Sequence, residues 1–245
     1  MEFNSVTIII GTTNEKESLI KTVDIIMDTC DHSDIDKILL VKSKDASDDC
    51  NAATDLLEKK YKGKVFSLVQ TRPFVGGAIR DGFDAAESSH IMLLPSDLAI
   101  SLDCVPKMIN MVKENPDVIA KTSRWLKKGS FHNYGEPRRL LNKAAQIFLS
   151  LLYNVNLTDF TSPVQTAPTQ AYRESDWQEL NFPFLIEMVL VPLRLGYKFK
   201  ELPVSCFERN EGFSRNSFKQ TALYLKTALR VRFSSKAKLI KEQKI

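Results

Sequence analysis

Two groups of charged residues have the types and positions that phosphate chemistry requires. Asp97 follows the apolar run 90–94, within Leu94-Pro95-Ser96-Asp97-Leu98. A carboxylate behind a buried strand can hold a hard cation such as Mg2+ or Mn2+, which takes oxygen ligands from one or two carboxylates together with phosphate. The alternative for Asp97 is a helix N-cap or a turn. The second group consists of arginines, whose guanidinium forks match phosphate geometry unless they are solvated surface charges: Arg124, Arg138, Arg139, Arg209 and Arg215.

Apolar periodicity predicts the elements that must position these residues. Strands are predicted at 6–10, 37–41, 64–69, 90–94, 118–123 and 199–203, and helices at 15–29, 52–61, 78–88, 105–113, 138–153 and 187–195. A Gly-Gly turn is predicted at 76–77. Alternating strands and helices favour an α/β fold with a mostly parallel sheet and helices on both faces. Such sheets bind ligands at the carboxyl ends of their strands, which directs attention to loops 11–15, 42–49, 72–80, 95–101 and 124–139.

Composition excludes several classes of protein. With 245 residues, of which 43% are hydrophobic, the chain can bury a core, so it is neither disordered nor fibrous. The four cysteines show no paired spacing, which argues against a disulfide scaffold or a zinc site and favours a cytoplasmic protein. The longest apolar stretches are interrupted by Ser150, Asn154 and Glu187. A spanning helix needs roughly 20 apolar residues, so none is predicted.

The basic residues are concentrated in the C-terminal tail. Residues 216–245 hold eight Lys or Arg and one acid, a local charge of +7. The whole chain carries +4, so the residues before the tail carry −3. This asymmetry predicts an anionic membrane surface, and no nucleic acid, as a partner. Apolar residues recur in the tail at near-helical spacing, which predicts a basic amphipathic helix or, alternatively, a helix packed on the domain: Phe218, Leu223, Leu225, Leu229 and Phe233. We therefore predict one domain at 1–215 and a tail at 216–245.

Seven short motifs between residues 5 and 215 carry a resemblance to a known family. They are Gly11-Thr12-Thr13-Asn14-Glu15, Gly76–Phe83, Leu94–Leu98, Ser123-Arg124-Trp125 with Arg138-Arg139, Asp159–Ser162, Glu187 with Glu201–Val204, and Arg209–Arg215. In this order they resemble family 2 glycosyltransferases, and especially polyprenol-phosphate (dolichol-phosphate) mannose and glucose synthases. The sequence departs from the pattern at four places, of which two are Ala99, where a Gln is common, and Pro163-Val164-Gln165, where a basic residue is usual. Lys42 and Lys44 stand in the loop where an Asp-Asp pair is usual, and Pro95 replaces the first acid of Asp-x-Asp.

The resemblance implies a GT-A-type fold and an inverting transfer of sugar from a nucleotide diphosphate sugar to a lipid-linked phosphate, with the protein peripherally attached to the cytosolic face of the membrane. It implies a weakly held Mg2+ or Mn2+ on Asp97. It also implies catalytic roles for Asp97, Glu187, Arg209 and Arg215, and binding roles for Thr12, Asn14, Glu15, Lys44, Gly77, Arg80, Arg124, Arg138, Arg139 and Ser214.

Several alternatives stay open at this point. Glu187 is either a group near the sugar or a buried acid paired with an arginine. The acceptor could be soluble or a glycan, and a homo-oligomer or a membrane-protein partner is possible. Because Pro95 and Lys42 replace acids, the chain could also be a non-catalytic nucleotide-sugar-binding or scaffolding subunit.

Overall fold

The fold is built on one seven-stranded sheet. The computed structural model describes residues 1–132, 135–208 and 218–241. The strands lie in the order β3-β2-β1-β4-β6-β5-β7. Their bounds are β1 Val6–Thr12, β2 Ile35–Lys42, β3 Val65–Val69, β4 His90–Pro95, β5 Val118–Ser123, β6 Gln165–Pro168 and β7 Lys198–Pro203.

The sheet is mostly parallel, as the alternation of strands and helices predicted. Strands β1 to β4 pair in parallel, and so do β5 and β7, whereas β6 is antiparallel to both of its neighbours. Strand β6 was not predicted from the sequence. It has only four residues, and two of them, Gln165 and Thr166, are buried polar residues that interrupt the apolar signal.

Helices cover both faces of the sheet. They are α1 Glu17–Thr29, α2 Asp48–Lys60, α3 Phe74–Ala85, α4 Cys104–Glu114, α5 Glu136–Tyr153, α6 Thr169–Arg173, α7 Phe184–Leu195 and α8 Phe218–Phe233, followed by a 3-10 turn at Lys236–Leu239. Apolar residues of α1, α2 and α4 form one core cluster with β1, β2 and β4, and those of α3, α5, α6, α7 and α8 form a second. None of the described helices has the length and apolarity needed to cross a membrane.

The C-terminal helix α8 packs on the domain through a different face from the predicted one. Ala228 and Val231 are buried in the second core cluster, and Tyr224 packs against it. The Tyr153 hydroxyl of α5 donates to Ala228 O at 2.7 Å. In the alternative of a helix packed on the domain, the large apolar residues were expected to form the packed face, and that part was wrong because Ala228, Val231 and Tyr224 form it. Leu223, Leu225, Leu229 and Phe233 are exposed instead.

Candidate active site

The loop after β1 forms part of the predicted donor site. Glu15 closes this loop: its Oε2 accepts from Thr12 Oγ1 at 3.0 Å, Thr13 N at 2.9 Å and Asn14 N at 3.1 Å. Thr12 is buried, whereas Asn14 is exposed at the carboxyl edge of the sheet. Glu15 therefore shapes the loop, and Asn14, like Thr13, is exposed to solvent.

The loop after β4 places Asp97 next to the β1 loop. Ser96 Oγ donates to Gly11 O at 3.2 Å, which ties the two loops together. Asp97 is 8% exposed, and its Oδ1 accepts from Ala99 N at 3.1 Å. Leu98 has a φ of 54°, a left-handed conformation that is unusual for a bulky side chain and that clusters at functional sites. The buried strand β4 thus ends in a tightly held turn around one carboxylate.

The start of α3 forms the third part of this edge. The predicted turn at 76–77 was wrong, because α3 begins at Phe74 and includes both glycines. A Cβ on Gly77 would lie 2.8 Å from backbone atoms of Arg72, so a larger residue cannot fit without a shift. Phe74 shares the unusual left-handed backbone, with a φ of 63°. Strain and close backbone approach thus coincide in the loop that the motif assigned to the donor.

Two charged residues of α3 have separate tasks. Asp81 is buried and accepts from Thr71 N at 2.5 Å and from Arg72 N at 3.1 Å, which fixes the β3–α3 loop. Arg80 donates through Nη2 to Trp177 O at 2.6 Å. Burial lowers the pKa of Arg80, and the nearby charge of Arg72 adds to this effect. A partly buried guanidinium without an ion pair among the described residues is suited to an anionic ligand.

Metal binding at Asp97 would depend on oxygen atoms beyond those that the described side chains bring together. Within the described residues, no three His, Cys, Asp or Glu side chains come together as a metal site. The first acid of Asp-x-Asp is Pro95, at the end of β4. One carboxylate fits a Mg2+ or Mn2+ ion that is held jointly with the diphosphate of a substrate, because these ions accept few protein ligands alongside phosphate oxygens.

Arg124, at the end of β5, is largely occupied by an ion pair. Its Nε and Nη2 donate to the two carboxylate oxygens of Asp159 at 2.7 and 2.8 Å, and Nη2 also donates to Thr161 Oγ1 at 2.8 Å. Both side chains are buried. Burial would raise the pKa of Asp159, but the charge and hydrogen bonds of Arg124 outweigh it and hold that pKa below its ordinary value. This pair fixes the loop that leads to α5, and a phosphate role for Arg124 stays a prediction.

Two further charged residues are buried behind this pair. Lys121 of β5 donates to Ser162 O at 2.6 Å, and burial lowers its pKa to about 8. Glu201 of β7 accepts from Thr158 N at 2.8 Å and from Asp159 N at 2.9 Å. Both therefore stabilise segment 158–162, which carries one of the family motifs.

Of the two alternatives for Glu187, the structure shows the ion pair with an arginine. Its carboxylate is fully buried and accepts from Arg230 Nη2 of α8 at 2.5 Å. Burial raises the pKa of Glu187, against the opposing hydrogen bond and charge of Arg230. A role near the sugar stays a prediction. The importance of Arg230 was not foreseen, because residue 230 looked like one of many basic residues in the tail.

The remaining predicted residues are more exposed or undescribed. Arg139, at the start of α5, is exposed, and its Nη2 lies 3.7 Å from Glu136 Oε1. Arg138 belongs to the same turn of α5. Lys44 is exposed in the β2–α2 loop, and Lys42 is half-buried at the end of β2. Arg209, Ser214 and Arg215 lie outside the described residues, so their predicted contacts with phosphate are untested.

Comparison with known sequences decides the family. A sequence model described as Glycosyl transferase family 2 matches residues 7–180. The chain belongs to this family. As a family 2 member it is a glycosyltransferase, as the motifs predicted.

Curated relatives of this family 2 glycosyltransferase include three polyprenol-type enzymes. The undecaprenyl-phosphate mannosyltransferase of Micrococcus luteus is 27% identical over 216 residues, covering 85% of this chain and 86% of the relative. The dolichol-phosphate mannosyltransferase of Pyrococcus furiosus is 27% identical over 92% of this chain, which spans 63% of that longer protein. The polyprenol monophosphomannose synthase of Mycolicibacterium smegmatis is 24% identical over 217 residues, covering 86% of this chain and 80% of the relative.

Solved structures confirm the GT-A-like fold. Glucosyl-3-phosphoglycerate synthase from Mycobacterium tuberculosis, in complex with Mn2+, uridine diphosphate and phosphoglyceric acid, superimposes with a TM-score of 0.69 at 14% identity. The match covers 94% of this chain and 79% of that one. A second complex of the same enzyme, with Mg2+ and uridine diphosphate, gives a TM-score of 0.66 at 14% identity and covers 93% of this chain and 78% of that one.

Proposed function

We propose that this protein transfers a sugar from a nucleotide diphosphate sugar to a lipid-linked phosphate at the cytosolic face of a membrane, with inversion at the anomeric carbon. The observation that carries the proposal is the turn around Asp97, which places one buried carboxylate beside the β1 loop at the carboxyl edge of the parallel strands. The polyprenol-phosphate mannosyltransferases among the relatives supply the acceptor class.

The donor would lie across the loops that follow β1, β3 and β4. Asn14 is exposed in the β1 loop, Arg80 lies on α3 near the close backbone approach at Gly77, and Asp97 would face the diphosphate. A divalent cation held by Asp97 and the diphosphate would stabilise the charge that develops on the leaving group. A single buried acid in the β4 loop is consistent with a ligand that carries its own metal-binding oxygens.

Transfer to a phosphate acceptor needs no general base from the protein. A phosphate oxygen is already anionic at neutral pH, so it can bond to the anomeric carbon while the bond from that carbon to the diphosphate oxygen breaks. The demand on the protein is to hold two anionic groups close together. Lys143 Nζ of α5 lies 4.7 Å from the centroid of the Trp125 ring, so a cation lies next to the β5–α5 loop, where the acceptor phosphate would bind.

The lipid would approach along helices α5 and α8. The two helices are joined because Arg232 Nε donates to Leu152 O at 2.8 Å, and Tyr153 donates to α8. Both expose large apolar side chains, among which Leu151 and Phe233 are each 76% exposed. We name the following set the α5–α8 apolar surface: Leu140, Leu141, Ile147, Phe148, Leu151, Leu225, Leu229 and Phe233.

Charge favours a lipid bilayer as the occupant of the α5–α8 apolar surface. The same two helices carry Arg139, Lys143, Lys226 and Arg232. A basic, apolar helix pair is the combination that binds the interface of an anionic membrane, where each basic residue contributes on the order of 1 kcal/mol. The tail alone is therefore not the whole proposed membrane element, since α5 contributes most of the exposed apolar residues.

Co-sedimentation with vesicles tests the membrane part. Protein should bind anionic vesicles at low salt and dissociate as salt rises, because the charges are screened. The double variant Leu151→Gln, Phe233→Gln should bind the vesicles at least several-fold more weakly. The matched control Leu56→Gln, which replaces an exposed leucine of α2, should bind like the wild type. Equal binding of both variants, or a dimer in solution that the double variant dissolves, would contradict a membrane role for this surface.

A transfer assay tests the activity. Labelled nucleotide sugars are incubated with polyprenyl phosphate in anionic vesicles, with Mn2+ or with a chelator, and labelled lipid is extracted. The proposed function predicts lipid-linked sugar from at least one donor. Donor binding without any transfer to lipid phosphate or to soluble phosphorylated acceptors would favour the non-catalytic binding subunit that Pro95 suggests.

A further inference from the structure

The start of α3 is held by a backbone segment from outside the sheet. Leu180 O accepts from Gly76 N at 2.8 Å, and Trp177 O accepts from Arg80 Nη2 at 2.6 Å. The contact is tight, because a Cβ added to Gly76 would lie 2.8 Å from Leu180 O. Segment 177–180 therefore cannot move without displacing the turn of α3 that is proposed to bind the donor.

A single buried carboxylate fixes this segment. Glu187 accepts from Gln178 N at 3.1 Å and from Glu179 N at 2.8 Å. Its side chain is fully buried on α7, so water does not compete for these bonds. A buried carboxylate is stable only when a positive charge or several donors compensate it.

That positive charge comes from the C-terminal helix. Arg230 Nη2 donates to Glu187 Oε1 at 2.5 Å and to Glu179 Oε1 at 3.3 Å, and Thr227 Oγ1 of the same helix donates to Glu179 at 2.6 Å. Hydrogen bonds thus connect α8 to Glu187, Glu187 to the backbone of segment 177–180, and that same segment to α3.

We propose that Arg230 is a positioning residue for the donor site, and that α8 is consequently part of the donor-binding machinery. Without Arg230, the carboxylates of Glu187 and Glu179 would face each other with no cation between them. Segment 177–180 would shift to separate or hydrate them, and Gly76 and Arg80 would lose their fixed positions. The role rests on the proposed nucleotide-sugar donor but not on the identity of the acceptor.

Calorimetric titration of the full chain with a nucleotide sugar that the wild type binds tests this role. Arg230→Gln should raise the Kd for the donor about ten- to a hundredfold, since small misplacements of binding groups have effects of this size. Arg230→Lys keeps the positive charge but lacks a guanidinium that can donate to both Glu187 and Glu179, so the donor Kd should rise less than in Arg230→Gln. Adding Glu187→Gln to Arg230→Gln should restore most of the affinity, because two amide side chains can hydrogen-bond while the oxygen at position 187 still accepts from the backbone.

Arg232→Gln is the matched control. It removes a guanidinium from the same helix, but one that anchors α8 to α5 and not to segment 177–180. It should lower the Tm yet leave the donor Kd within about twofold of wild type. Amide exchange at Gly76 should quicken in Arg230→Gln and not in Arg232→Gln, because only the former loosens the bond to Leu180 O.

The possible outcomes separate the two proposals. A wild-type Kd in Arg230→Gln refutes the positioning role, and so does a double variant that is folded but does not recover. Equal weakening in Arg232→Gln also refutes it, since the effect would then be general loss of stability. If the wild type binds no nucleotide sugar, the proposed function itself fails, and the role of Arg230 at a donor site fails with it.

Discussion

Replacing Asp159 by asparagine should lower the free energy of unfolding by about 3–5 kcal/mol, because it leaves the buried guanidinium of Arg124 without its counter-ion. The carboxylate is fully buried and accepts from Arg124 Nε at 2.7 Å, Arg124 Nη2 at 2.8 Å, Arg124 N at 3.1 Å and Thr161 N at 3.1 Å. The amide side chain keeps one acceptor oxygen, but its NH2 group would face the donors of Arg124. Two charge-assisted bonds of about 1.5–3 kcal/mol each sum to about 3–6 kcal/mol, which overlaps this range.

Urea unfolding followed by tryptophan fluorescence measures this loss. With an m-value of about 3 kcal/mol/M, the midpoint should fall by about 1–1.7 M. The matched control is Asp103→Asn, whose partner Lys107 lies at 2.6 Å in an exposed pair and should contribute no more than about 0.5 kcal/mol. Because the pKa of Asp159 is lowered in the folded protein, its contribution to the free energy of unfolding is fully present above the unfolded pKa of about 3.9. This contribution is lost as the pH falls through the folded pKa. A loss below about 1 kcal/mol at pH 7, similar to the control, would refute the buried-pair reasoning.

Three other changes test separate parts of the account. Gly82→Ala should lower the free energy of unfolding by about 1–3 kcal/mol, because its Cβ would lie 2.7 Å from Ile9 Cγ2, and an unchanged Tm would contradict this. Lys121 has a folded pKa of about 8, below its unfolded value of about 10.4, so the free energy of unfolding of the wild type should rise with pH between these values. Lys121→Met should remove this rise, as measured by urea midpoints. An equal rise in the variant would contradict the assignment. Lys42→Asp should change donor preference or affinity in calorimetry, since a carboxylate accepts from base and ribose groups that an ammonium cannot; identical binding of every nucleotide would place the β2–α2 loop outside the site.

The fold could be predicted largely from the sequence, because strand and helix periodicities are local signals. The predicted ends of strands β1 to β5 and β7 differ from the observed ends by at most two residues. Strand β6 was missed because it has only four residues and two of them, Gln165 and Thr166, are buried polar residues. The turn predicted at 76–77 failed for a related reason: glycine pairs indicate turns, but here small size allows α3 to contact Arg72 and Leu180.

The candidate site was harder to predict because its contacts join residues far apart in the chain. Arg124 and Asp159 were both noticed as motif residues, but nothing local shows that the two side chains neutralise each other. Arg230 belongs to a helix whose basic residues looked equivalent, and only its position opposite Glu187 distinguishes it. The same packing affects the interpretation of tail deletions. Removing residues 216–245 would take away the partner of a buried carboxylate as well as basic charge, so point variants are the better test of membrane binding.

The most direct test of the central claim compares wild type with Asp97→Asn in the lipid-transfer assay with Mn2+, at equal folded concentrations confirmed by thermal unfolding. The account predicts that the wild type forms lipid-linked sugar, that the metal requirement is weak and saturates only at high concentration, and that Asp97→Asn is folded but inactive. Full activity of Asp97→Asn in the presence of a chelator would contradict the account, because the carboxylate proposed to hold the metal would then be dispensable.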